Sequence, residues 1–333
     1  MANIKRSYTT FRNSVAAEVA VATSNTAAMA IIDTNINNSI NTICNLQGGK
    51  LRFLEATKDM ETVANQETYQ IPNGFRKLID MYIYSGTGTS SDTIYMPEMV
   101  FDPTKWKLIK AYRLGTSDVP YFTYVENQTF KIQPIPSTTG NLIVLRGRLQ
   151  VRNLSIADYT TGSVVSIAND GVTVVGTGTT WTADMAGRFI NITQTTAANG
   201  GDGFDYEIES VTNATTLVLK KPYEGASISA GTAAYTIGQC SVIPQAYDIA
   251  AVYRATALYW QKEGDLNRAK TYWMMYDGGN EAGYSNEYGG IISQMLANEG
   301  ETEEGSYVPP FAGDSNMIQA PYYFPWSQAS GFN

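Results

Sequence analysis

The sequence predicts an α+β chain: a helical bundle or hairpin core with a β-rich region, an inserted all-β sandwich or barrel, and an extended C-terminal arm. Three observations predict it. Apolar residues recur at helical spacing near both ends, Ile32, Ile36, Ile40 and Ile43 in one run and Leu266, Ala269, Trp273 and Tyr276 in the other. Between them lie short strand-like runs separated by turn signals such as Pro72-Asn73-Gly74 and Asn169-Asp170-Gly171. Beyond residue 298 no periodic segment appears.

Taken in order, residues 13–46 read as helical, with Thr23-Ser24-Asn25-Thr26 separating two helices and supplying a cap for the second. The isoleucine face of the second opposes a polar one of Asp33, Asn35, Asn37, Asn38, Ser39 and Asn41. From Leu51 to Val151 the pattern is that of strands. Phe75–Tyr84 alternates, with Leu78, Asp80, Tyr82 and Tyr84 expected on one side and Ile79, Met81 and Ile83 on the other. Asp102-Pro103 is a helix start, with Asp as N-cap and Pro at the first helical position; that short helix runs to about Tyr112 and presents Trp106 and Ile109. Residues 121–126 and 129–135 form a hairpin about Asn127-Gln128, and 142–151 reads as a strand buried on both faces.

Residues 160–239 change composition to Thr, Gly, Val, Ala and Asn, with six short strands expected at 163–168, 172–175, 188–193, 204–211, 216–219 and 233–237. This block begins and ends inside the larger chain, as a domain inserted at a loop tip does. Pro244 opens a further helix, Gly264-Asp265 breaks it and caps the next, and Gly278-Gly279 stops that one, making a helical hairpin. Another helix is expected around residues 289–297. The organisation is therefore a core of residues 1–159 and 240–298, made of the N-terminal helices, the β-region and the closing helical hairpin, with an inserted β-domain of 160–239 and an arm of 299–333.

Composition narrows the chemistry. The 333 residues include no histidine, which removes a Ser-His-Asp triad, a Cys-His pair and a histidine metal site. Cys44 and Cys240 are the only thiols and are expected as buried free cysteines. No run of 18 apolar residues predicts a membrane span, and no apolar run behind Lys5 and Arg6 predicts a secretory leader. Charged residues are only 16% against the usual ~25%, while tyrosine reaches 22, a balance that suits extensive interfaces. The net charge of -8 is unevenly placed: residues 1–270 carry 23 acids and 23 bases, and residues 271–333 carry eight acids and no base.

Candidate sites are few. Gly86-Thr87-Gly88 and Gly176-Thr177-Gly178-Thr179-Thr180 lack the Gly-Lys-Ser/Thr of a phosphate loop. Asp202, Asp205 and Glu207 lack the spacing of a calcium loop and are expected in a solvated hairpin. Lys105, Lys107, Lys110 and Arg113 lie on or beside the short helix, and Arg146, Arg148 and Arg152 alternate on one strand; a solvated face or salt bridges to neighbours is the expected role of both groups. Trp181, Phe204, Tyr206 and Tyr223 are the candidate binding surface of the β-insertion, at least two of them being better suited to its core. In the arm, Pro309, Pro310, Phe311, Tyr322, Tyr323, Phe324, Pro325 and Trp326 are too aromatic for a purely solvated tail and form a candidate docking segment. No cofactor, no metal and no enzymatic activity is expected.

Several stretches, in this order, carry a family resemblance. They are residues 32–44 followed by Leu51-Arg52-Phe53-Leu54-Glu55; Tyr69-Gln70-Ile71-Pro72-Asn73-Gly74-Phe75-Arg76-Lys77-Leu78; Asp102-Pro103 to Trp106; Pro120-Tyr121-Phe122 with Phe130-Lys131-Ile132-Gln133-Pro134-Ile135-Pro136; and Ile243-Pro244-Gln245-Ala246-Tyr247 through the closing helical hairpin. Over residues 10–160 and 240–285 the chain resembles the head-to-tail adaptor, or connector, proteins of tailed bacteriophages that form a ring beneath the portal. The 160–239 block departs from many relatives and is similar to Ig-like or small β-modules of virion proteins, on Gly176-Thr177-Gly178-Thr179-Thr180-Trp181 and Lys221-Pro222-Tyr223-Glu224-Gly225.

The resemblance implies a structural virion protein at the head–tail junction, made in the host cytoplasm. It implies a ring of about twelve copies that joins the portal protein to a tail tube or nozzle protein and continues the DNA channel. Double-stranded DNA would only pass through, and a mildly acidic ring would not grip it. The C-terminal arm would dock on the portal or on a neighbouring subunit. The alternative is a virion binding module whose insertion holds a tail fibre, a decoration protein or a glycan.

Overall fold

A computed structural model describes residues 5–89, 92–112, 114–194, 200–229, 232–279 and 289–299. Helix α1 (Tyr8–Glu18) starts earlier than the apolar spacing alone predicts, because Ser7 Oγ accepts the Thr10 amide at 3.2 Å and caps it. Helix α2 (Thr26–Cys44) is capped by Asn25, whose side chain accepts the Ala28 amide at 3.2 Å. Ile32, Ile36, Ile40 and Ile43 are all buried, as their spacing requires. They face α4 (Gln245–Glu263), whose Ala250, Ala251, Ala255 and Ala257 are buried and small enough for close helix approach. Gly264, at φ 85°, ends α4 in the left-handed conformation, and Asp265 caps α5 (Leu266–Asp277) by accepting the Arg268 amide at 3.0 Å. Helix α6 (Ile291–Glu299) packs on α4 and α5.

Two four-stranded sheets follow α2. The first has the order β1 (Glu55–Glu61), β8 (Leu142–Leu149), β3 (Phe75–Tyr84), β4 (Ile94–Tyr95), all antiparallel. The second has the order β2 (Thr68–Gln70), β7 (Thr129–Gln133), β6 (Phe122–Glu126), β5 (Glu98–Val100). Its β5–β6 pair is parallel, and α3 (Pro103–Ala111) is the crossover that a parallel pair needs. The sheets share a core of Tyr69, Phe75, Leu78, Met81, Ile83, Phe130, Ile132, Ile143 and Leu145. The simple alternation expected in β3 fails at two points, the first between Phe75 and Lys77. A second irregularity, between Leu78 and Asp80, shifts the phase again, so Phe75, Leu78 and Met81 all point into the core. Strand β8 lies between β1 and β3, and its Ile143, Val144 and Leu145 are all buried.

The remaining strands are β9 (Ser163–Ser166), β10 (Thr173–Thr177), β11 (Phe189–Ile192), β12 (Asp205–Asn213), β13 (Thr216–Leu219) and β14 (Tyr235–Gly238). They form one six-stranded antiparallel sheet, ordered β14-β11-β12-β13-β10-β9. At one edge β9 bridges to Ala233, and Ile167 just beyond it to Ile228, in the stretch that leads into β14 at the other edge. The sheet therefore curls into a partial barrel around Val164, Val174, Ile190, Ile208, Leu217 and Ile237. The fold class is α+β, as the sequence predicts.

Candidate assembly interface

The connectors that enter and leave the curled sheet run beside α1 and α2. Asn37, on the polar face of α2, holds the incoming connector: its Nδ2 donates to the Leu154 carbonyl at 2.9 Å and its Oδ1 accepts the Leu154 amide at 2.8 Å. Gln239, on the outgoing connector, accepts the Ser155 and Ile156 amides at 2.8 and 3.0 Å and donates to the Asn153 carbonyl at 3.0 Å. The N-terminal segment clasps both. Ser7 Oγ donates to Asp158 at 2.7 Å, the Tyr8 amide donates to the Gln239 carbonyl at 2.9 Å, and Ser7 bridges to Cys240. Arg6 lies 3.3 Å from the buried carboxylate of Asp248 on α4. The Lys5 amide donates to Asp205 of β12, and its ammonium sits 4.4 Å from the centre of the Phe189 ring. Burial lowers the Lys5 pKa and raises that of Asp205. One short stretch thus ties the helices to the curled sheet.

One stretch of the chain is rich in exposed apolar side chains. Of the twelve exposed large hydrophobic residues among those described, seven lie between residues 94 and 121: Ile94, Met96, Phe101, Leu108, Tyr112, Leu114 and Tyr121. Helix α3 explains part of this. Trp106 and Ile109 point inward, with Trp106 stacked on Tyr124 at 5.3 Å, while Leu108 and Tyr112 point outward at 61% and 60% exposure. A helix apolar on two sides covers its own sheet and leaves a second face uncovered. The sequence carried that signal, but Phe101, Leu108 and Tyr112 stand out only once Trp106 and Ile109 are seen to fill the core. The lysines beside α3 are partly engaged: Lys105 pairs with Glu98, and Lys110 with Glu67 at 2.7 Å. Arg113 lies outside the described residues.

The sequence-derived candidates are placed as follows. Trp181, Tyr206 and Tyr223 are 3%, 7% and 0% exposed and lie in the core of the curled sheet, and Phe204 is half-buried against it. Trp181 Nε1 donates to Tyr235 Oη at 2.9 Å, and the Tyr206 and Tyr223 rings meet at 5.3 Å. A stacking platform needs exposed ring faces, and these three rings present none. They are interior because a small curled sheet needs large side chains to fill it. Asp202 accepts from Tyr206 Oη, Asp205 from the Asn191 side chain, and Glu207 pairs with Lys220 at 2.9 Å. Among the described residues no group of three or more Cys, Asp or Glu is placed to hold a metal ion. Arg146 bridges Glu55 at 2.6 Å and Asp80 at 3.3 Å. The arm candidates Pro309, Pro310, Phe311, Tyr322, Tyr323, Phe324, Pro325 and Trp326 lie outside the described residues.

The family model of the SU10 adaptor protein matches residues 6–173. The chain belongs to the SU10 adaptor protein family. The match covers α1, α2, α3 and both four-stranded sheets, and it ends where β10 begins. No curated protein matches the chain. An adaptor of this family is a structural phage protein of the head–tail region, with capsid or tail partners. No helix among the described residues is long and apolar enough to cross a membrane.

Proposed function

We propose that this adaptor assembles with copies of itself into a ring of about twelve that joins the portal protein to a tail tube or nozzle protein and continues the DNA channel. The observation that carries this is the uncovered apolar surface around α3. Each ring subunit must offer its neighbour one face and receive another, and an exposed apolar cluster of this kind marks a protein–protein contact. We take Phe101, Leu108, Tyr112 and Tyr121 as the centre of the contact with the next copy. Residues 160–239 act as an inserted domain, a reading supported by their separate apolar core. The arm of residues 299–333, acidic and then aromatic, docks on the portal or on a neighbouring subunit.

The test is native mass measurement, with and without portal protein, on the full chain and on a Phe101→Asp, Leu108→Asp double variant. Rings from the parent chain and monomers from the variant, with equal far-UV circular dichroism, are the expected result. Rings of undiminished yield from the variant refute the assignment of this surface. A chain lacking residues 305–333 is expected to stay folded and to lose ring or portal attachment.

A further inference from the structure

We infer that one end of the first four-stranded sheet is a sequence-independent binding site for the phosphate backbone of double-stranded DNA. Three segments meet there. Residues 49–58, 72–77 and 146–152 contain eight bases, Lys50, Arg52, Lys58, Arg76, Lys77, Arg146, Arg148 and Arg152, and a single acid, Glu55. That acid is taken by Arg146 at 2.6 Å. The rest of residues 1–270 must therefore carry a compensating acidic excess, because the span as a whole holds 23 bases and 23 acids. The positive charge is concentrated at one place.

The structure brings these cations together around the turn before β3. Lys58 Nζ donates to the Asn73 carbonyl at 2.8 Å. A side-chain carbon added at the adjoining Gly74 would lie 3.8 Å from Arg152 Nη2 and 3.9 Å from Lys58 Nζ. Arg76 and Lys77 follow Gly74 in the chain; Arg76 reaches Asn45 at the end of α2, close to Gly49 and so to Lys50 and Arg52. Lys77 and Arg148 are cross-strand partners, and like charges placed opposite each other cost stability unless something else is gained. Lys50, Arg52, Lys58, Arg76, Lys77 and Arg152 are exposed, and Arg52, Lys77 and Arg152 make no ion pair among the described residues.

A purely structural role accounts for only a fraction of this charge. The C-terminal end of α2 carries about half a negative charge, and Arg76, which donates to the Asn45 side chain there, is one full positive charge beside it. A group of exposed arginines and lysines whose one acid, Glu55, is already paired with Arg146 fits a polyanion. Duplex DNA is such a polyanion, and counterion release supplies the affinity without any base contact. The biological setting, DNA moving through a channel, rests on the adaptor reading above. The binding itself does not. It also replaces the expectation that this chain lacks cations for a passing duplex.

The experiment is fluorescence anisotropy of a labelled duplex of mixed sequence titrated with the full chain, from about 50 to 200 mM salt. The expected result is salt-sensitive binding that weakens on the order of 10³-fold over that range if about six phosphates are neutralised. An Arg52→Gln, Lys77→Gln, Arg152→Gln variant should bind at least tenfold more weakly. Its log–log salt slope should be shallower by roughly three, at about 0.9 per cation. A Lys105→Gln, Lys107→Gln, Lys110→Gln variant, which removes the same charge beside α3, should match the parent. No binding at about 50 mM salt, or equal losses in both variants, overturns the site. The sheet-end variant is also assayed for ring mass and portal attachment. Rings that persist while duplex binding falls leave the adaptor reading intact. Lost attachment in a chain whose parent never bound duplex makes this an acidic-protein contact and refutes the DNA assignment.

Discussion

Asn37 and Asn38 are neighbours on the polar face of α2, yet their replacement by alanine should change stability in opposite directions. Asn37 makes two hydrogen bonds to the backbone of Leu154, at 2.9 and 2.8 Å, and Leu154 is 3% exposed. Each such bond contributes about 1 kcal/mol net, so losing both costs ~2 kcal/mol, and more where the Leu154 amide and carbonyl stay dry and unpaired. Alanine is the better helix former and returns about 0.6 kcal/mol. Asn37→Ala should therefore destabilise by about 1.5 kcal/mol. Asn38 is exposed, so Asn38→Ala should stabilise by roughly 0.5 kcal/mol. The predicted gap between the two variants is about 2 kcal/mol. Urea denaturation followed by helical circular dichroism measures it as a shift in midpoint at constant slope. Midpoints that place the two variants within about 0.5 kcal/mol of each other refute the idea that Asn37 clamps the incoming connector.

Burial pushes the Cys44 and Cys240 thiols up to about 12, so both are protonated in the folded chain. An acid whose folded pKa lies above its unfolded value of about 8.5 adds stability below that pH and loses it as pH climbs toward the folded pKa. Cys44 is buried as expected, whereas Cys240 is only partly buried. Stability should hold near pH 8 and decline above about pH 9, and a thiol reagent at pH 8 should leave Cys44 unlabelled until urea is added and label Cys240 slowly; rapid labelling of Cys44 in the native chain contradicts this. Tyr235 Oη accepts from Trp181 Nε1 at 2.9 Å and donates to the Thr161 carbonyl at 2.6 Å, so Tyr235→Phe should cost about 1–3 kcal/mol, read as a lower melting temperature with a changed tryptophan emission. Gly162 has φ 84°, and a side-chain carbon there would fall 2.5 Å from the Thr177 carbonyl oxygen. Gly162→Ala should therefore lower stability by more than the ~1 kcal/mol of a left-handed alanine alone, a loss visible in thermal unfolding.

Local signals proved legible where the physics acts over a few residues. Asp102-Pro103 starts α3 and Asp265 starts α5, because a side-chain cap and a fixed φ need no distant partner. The six strands of the curled sheet, and the isoleucine face of α2, follow from the same short-range spacing. The start of α1 did not, since nothing in the apolar pattern marks Ser7 as its cap. The side of β3 taken by Leu78 depends on a register shift that its own residues do not announce.

Composition, helix faces, caps, strand positions and the asymmetry of charge are properties of the chain alone, and with them the α+β class and the adaptor resemblance. Tertiary structure decided which residues meet across long separations: Lys5 with Asp205, Asn37 with Leu154, and the cations that converge on the turn at Gly74. It also decided that Trp181, Tyr206 and Tyr223 fill a core while Phe101 and Leu108 face outward. Aromatic and aliphatic side chains gain free energy from any surface that excludes water. Their identity therefore records that each will be covered, and only the assembled fold determines whether its own chain covers it or a neighbour must.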